Sequence, residues 1–68
     1  MEIEYDKEAD AAYIYVEYPI KKGEAKKTIE LNENIIIDFD AKGKLLGMEI
    51  LNASSILNKK VLLKAPAP

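Results

Sequence analysis

Cysteine, histidine, arginine and tryptophan are all absent from this 68-residue chain, and glycine occurs only three times. Without cysteine no disulfide can form, and without cysteine or histidine the usual structural zinc site is excluded. The same gaps remove the common activated nucleophiles and imidazole bases, and Ser54 and Ser55 have no evident base partner. Lack of arginine removes the planar fork that reads guanines and phosphates. All ten basic residues are lysine, outnumbered by twelve carboxylates for a net charge of −2, a balance that disfavours general nucleic-acid binding. Among three glycines there is neither a phosphate-cradling loop nor a dinucleotide fingerprint, so no nucleotide cofactor is expected.

No apolar stretch approaches the length that spans a bilayer, and Met1-Glu2-Ile3-Glu4 lacks the basic start and apolar run of a signal peptide. The chain therefore reads as a cytosolic protein with no membrane partner. Its length supports one core only, and folding at this size buries roughly 60% of the surface that the unfolded chain exposes. With disulfides and metals excluded as staples, self-association is the one that remains. Residues 1–64 read as one β-rich domain and 65–68, Ala65-Pro66-Ala67-Pro68, as a frayed tail. Heavy use of Lys, Glu and Ile without Gln or Cys fits a thermophile, and an AT-rich genome gives the same bias.

What is present is a series of short alternating segments separated by turn signals. Glu2 to Asp6 alternates, with Ile3 and Tyr5 on one face. Ala11 to Tyr18 resumes as a longer strand with Ala12, Ile14, Val16 and Tyr18 on one face and Tyr13, Tyr15 and Glu17 on the other. Lys26 to Leu31 reads as a third strand and Ile35 to Phe39 as a fourth, the most hydrophobic and therefore expected at the centre. Asp40-Ala41-Lys42-Gly43 is a hairpin signal, because glycine enters the left-handed region that such a turn needs. Lys44 to Leu51 follows as a fifth strand, with Leu46, Met48 and Ile50 inward and Gly47 marking a bulge or a close approach. Asn52 or Ser54 can cap a helical turn containing Ile56 and Leu57, and Val61-Leu62-Leu63 fits either strand or helix. The expected fold is mainly β: a five-stranded, mostly antiparallel meander with a short C-terminal helical turn.

Three blocks stand out together: Tyr5-Asp6-x-Glu8-Ala9-Asp10-Ala11-x-Tyr13-Ile14, Ile37-Asp38-x-Asp40-x-x-Gly43, and Gly47-Met48-Glu49-Ile50-Leu51-x-Ala53-Ser54. In this order they resemble the small prokaryotic family catalogued as domain of unknown function 2283, over about Ile3 to Leu57. The resemblance implies a β-rich prokaryotic domain with no established activity to carry onto these residues. Some members sit beside small toxin-like proteins, which implies an antitoxin-like partner role.

Asp6, Glu8 and Asp10 have the spacing that opens a calcium loop, and Glu17 falls at its closing carboxylate. Ala11 stands where that loop needs glycine, so a solvated turn is the expectation. Asp38 and Asp40 share a strand face and could hold a metal or do acid and base work, but Asp40 opens the hairpin. The pairs Lys21-Lys22, Lys26-Lys27 and Lys59-Lys60 could converge on a patch beside Tyr13 and Tyr15. Those two tyrosines are the interface candidates, since tyrosine couples apolar area to a polar tip. Alternatively they form a second core layer under Ile56, Leu57 and Val61 to Leu63. The composite expectation is a non-enzymatic protein-interaction domain, a homodimer or the partner of a small protein, with no catalytic, cofactor or metal residue. A nucleic-acid-binding module and a carboxylate-dependent metal enzyme are the alternatives.

Overall fold

A computed structural model describes residues 1–68 and contains one five-stranded antiparallel sheet followed by two short helices. The strands are β1 (Glu2–Asp6), β2 (Ala11–Tyr15), β3 (Lys27–Glu30), β4 (Ile35–Phe39) and β5 (Leu45–Leu51); the helices are α1 (Ala53–Ile56) and α2 (Lys59–Lys64). Their spatial order is β1-β2-β5-β4-β3, so the β1–β2 hairpin and the β3–β4–β5 meander join where β2 meets β5. The central strand is thus β5 and not β4: its Leu46, Gly47 and Ile50 are buried, whereas β4 neighbours the edge.

Side-chain chemistry sets the turns. The Asp6 carboxylate accepts from Glu8 N and Ala9 N at 3.0 and 3.3 Å, which folds the chain between β1 and β2. Asn32 Oδ1 does the same for Asn34 N and Ile35 N ahead of β4. Asp40 Oδ1 accepts from Lys42 N and Lys44 N, and Gly43 takes φ +80°, the left-handed conformation expected of this hairpin. At the end of β2, Val16 N and Glu17 N both donate to Leu46 O, at 2.8 and 3.0 Å, forming a β-bulge. The strand therefore stops at Tyr15 rather than running to Tyr18, and the following segment crosses the end of the sheet to the far edge.

Val61 to Leu63 is helical, because the Asn58 side chain accepts from Lys60 N at 2.8 Å and starts a second helix where one turn was expected. Ala53 and Leu62 from these helices pack with Ala12 and Ile50 as the core, surrounded by Ile3, Tyr5, Ile14, Ile35, Met48 and Leu57. Small side chains at Ala12 and Ala53 let α1 approach the sheet closely. The tail is engaged with the sheet edge: Tyr5 N donates to Pro66 O at 2.9 Å. No helix is long and apolar enough to cross a membrane.

Replacing Gly43 with alanine isolates the conformational cost of its left-handed backbone, since a Cβ there meets nothing within 4 Å. The substitution is expected to cost about 1 kcal/mol and lower the melting temperature by about 4–8 °C. An unchanged midpoint in thermal denaturation would refute this reading.

Candidate functional site

The helices cover only one face of the sheet. The residues expected to bury Tyr13 and Tyr15 lie on the opposite side, with Leu57 and Leu62 against the Ala12 and Ile50 face. Register defines what the open face carries. One row across it reads Glu2, Tyr15, Gly47, Asp38 and Thr28, and the next reads Glu4, Tyr13, Glu49, Ile36 and Glu30. With Asp6 on β1, this face bears six carboxylates and, in its strands, no lysine. Tyr13, Tyr15 and Glu4 border a shallow depression that Pro68 closes at its rim.

Tyr13 and Tyr15 form one aromatic row, with ring centroids 4.7 Å apart, and Tyr18 extends it edge-on at 4.9 Å. Strict alternation assigns Tyr18 to the Ile14 face. The bulge at Val16 and Glu17 shifts the alternation by one residue, and Tyr18, 55% exposed, joins the tyrosines instead.

Each hydroxyl in the row's first two members donates to a carboxylate. Tyr13 Oη donates to Asp38 Oδ2 at 2.7 Å, while Thr28 Oγ1 donates to Asp38 Oδ1 at 2.7 Å. Tyr15 Oη donates to Glu4 Oε1 at 2.8 Å. Burial, then the bond to Asp38, pushes the Tyr13 phenol well above its ordinary value. The bond to Glu4, then burial, pushes Tyr15 up to about 12. Gly47 makes room for the row: a Cβ there would sit 2.5 Å from Ile14 O and 2.6 Å from Tyr13 Cε1. Of the two readings open for Gly47, this is a close approach, with the ring of Tyr13 lying across the bare backbone.

A second cluster ties the sheet to α1. Asp10, at φ +50°, receives Tyr5 Oη at 2.7 Å, Ser54 Oγ at 2.7 Å and Ser54 N at 3.0 Å, while its own carbonyl accepts from Ala53 N at 2.9 Å. Neither Asn52 nor Ser54 caps α1 with its side chain; the cap comes from Asp10, 44 residues before Ser54. These bonds, that from Tyr5 first, hold the Asp10 carboxyl below the ordinary carboxylate range, and Tyr5 is raised by the same bond.

The remaining sequence candidates do not assemble. Glu17 lies at the other end of β2 from Asp10 and meets Glu24 instead, a pairing that raises Glu17, while the Lys21 backbone amide first and Glu17 second lower Glu24. Asp38 and Asp40 are committed separately, one to Tyr13 and Thr28, the other to its own turn. No three or more Asp and Glu side chains are grouped to hold a metal ion. Lys26 and Lys27 flank the β3 edge, whereas Lys59 lies with Tyr5 and Lys7 near the β1 edge, so the lysine pairs do not converge.

Residues 2–54 match the family described as "Protein of unknown function (DUF2283)". An uncharacterized protein of the thermophilic archaeon Methanocaldococcus jannaschii is 43% identical over 58 residues, covering 85% of this chain and 46% of that protein. The chain thus spans about half the length of that relative. No solved structure matches it significantly.

Two measurements probe the tyrosine row. Gly47→Ala is expected to cost about 2–3 kcal/mol, more than Gly43→Ala, because the added methyl meets a fixed carbonyl as well as a ring. Tyr13→Ala in the same chain should recover only the ring's share, and equal melting points for the two glycine variants would contradict the packing. For Tyr15, a folded value raised to about 12 from 10.0 means a contribution present below about pH 10 and lost as pH rises through about 12. The melting-temperature gap between the natural chain and Tyr15→Phe should therefore close across that window, and a constant gap would show that the Glu4 bond does not govern the titration.

Proposed function

The chain belongs to the DUF2283 family, and from that premise we propose that it acts as a protein-interaction domain whose partner covers the open face at Tyr13 and Tyr15. The observation that carries this reading is the aromatic row of Tyr13, Tyr15 and Tyr18 on the sheet face that neither helix covers, in a chain that leaves much surface open as a whole. A compact monomer of this mass exposes roughly 4300 Å². This chain exposes 5008 Å², with six of 68 residues buried. The excess, about 700 Å², approaches the roughly 800 Å² that each partner buries in a standard interface.

The chemistry of the face favours protein over nucleic acid. Its tyrosines could stack on bases, but Glu4, Glu49 and Asp38 surround them and would repel phosphates. A partner contributing basic side chains suits the same carboxylates. Catalysis fits the face poorly, since Asp38 and Glu4 are already engaged by tyrosine hydroxyls. A small toxin is the concrete partner that the family resemblance suggests. Face-to-face pairing of two copies would set like charges against each other, so the partner on this face is a different protein.

Affinity capture from native cells, run in parallel with the natural chain and with Tyr15→Lys, tests the assignment. The expected result is a protein retained by the first and lost with the second, and that partner should slow amide exchange in β1, β2 and β5. Equal capture by both chains, or protection confined to the helical side, would overturn it.

A further inference from the structure

The two edges of the sheet are treated differently by the fold. At β1, Tyr5 N is taken by Pro66 O, and with alternate residues facing outward Ile3 and the carbonyl of Tyr5 keep the free backbone groups on that edge. At β3 nothing intervenes, and all of Lys27 to Glu30 is exposed. A bare edge strand is a template for another strand.

Backbone bonding shows which groups are free. Leu31 N donates to Ile35 O at 2.8 Å, so by alternation Leu31 and Ile29 spend their backbone groups on β4, and Thr28 and Glu30 direct theirs outward. The outward run ends there, because Lys26 N turns inward to Phe39 O at 2.9 Å. On the helix-bearing side of the same edge, Ile29 is 40% exposed and Leu31 62%.

We infer that two copies of this chain join through β3 about a twofold axis at Ile29, making one continuous antiparallel sheet. In this register Thr28 and the partner's Glu30 exchange backbone bonds on both sides of the axis, and the two Ile29 side chains meet at its centre. Lys26 comes diagonally across from the partner's Glu30, a distance that long side chains bridge. Lys27 lies beside the partner's Leu31, with its methylenes over the leucine and its ammonium in water. Neighbouring registers fit less well. Centring on Thr28 would require outward groups from Lys26, whose N–H is committed to Phe39, and centring on Glu30 would oppose two carboxylates. The tyrosine faces stay uncovered and point the same way, so the dimer leaves the docking reading intact.

Because the natural chain has no cysteine, an engineered one reports the axis directly. Residues facing each other across a non-hydrogen-bonded antiparallel pair are about 4.5 Å apart at Cα, within disulfide range. Under mild oxidation Ile29→Cys should pass from 7.6 kDa to twice that mass, well ahead of Glu33→Cys as the exposed control. By light scattering the natural chain should shift from 7.6 kDa toward the doubled mass as concentration rises. Glu30→Pro, which deletes an outward N–H and leaves the bonds to β4, should remain at 7.6 kDa with its circular dichroism retained. Glu30→Lys should weaken the dimer and Lys26→Glu added to it should restore the mass, which keeps the test decisive if the proline variant misfolds. Monomer at every concentration, cross-linking of Ile29→Cys no faster than the control, or a dimer abolished by Tyr15→Lys but not by the edge variants would each overturn the inference; the last would place self-association on the tyrosine face.

Discussion

The Asp10 carboxylate holds the architecture together. It sits in the turn between β1 and β2, yet it receives a hydroxyl from Tyr5 and both the hydroxyl and the amide of Ser54 at the start of α1. A four-residue helix has almost no intrinsic stability, since nucleation costs more than so few bonds return. Anchoring its first turn to a hairpin at the other end of the chain makes it part of the sheet. That anchor also decides sidedness. With α1 fixed beside Asp10, Ala53 and Leu62 fall on the Ala12 face, opposite the tyrosines.

Much of this follows from alternation and turn chemistry. The inward set of β1 and β5, the Asp40 to Gly43 hairpin and the closeness of chain at Gly47 are all legible, because each depends on neighbours in sequence. The three motif blocks also have a spatial meaning: Tyr5 and Asp10 meet Ser54, while Tyr13 meets Asp38 over Gly47. Features set by distant parts of the chain are not legible. Tyr18 changes face because Leu46 O accepts two successive amides, and no local signal marks that bulge. The insertion of β5 beside β2, the cap supplied by Asp10 and the seat of Pro66 likewise depend on pairings 30 or more residues apart.

The candidate site was half visible. Period-two spacing places Tyr13 and Tyr15 together on one face, but the carboxylates that accept from them lie on β1 and β4 and emerge only from strand order. This pairing changes the character of the surface. A phenol tied to a carboxylate is held in one orientation, so the ring has less freedom to lose on docking and the face is preorganised. The same bonds satisfy Glu4 and Asp38 in the absence of any lysine on those strands.

The seat of Pro66 on β1 has a consequence for stoichiometry. Proline has no N–H to return, so the tail accepts one bond from Tyr5 and offers β1 no ladder to extend. A five-stranded sheet with two bare edges could add neighbours without limit and grow into a fibre. With Tyr5 N occupied by Pro66 O, β1 presents a less complete template than β3, so the fold disfavours growth through both edges at once.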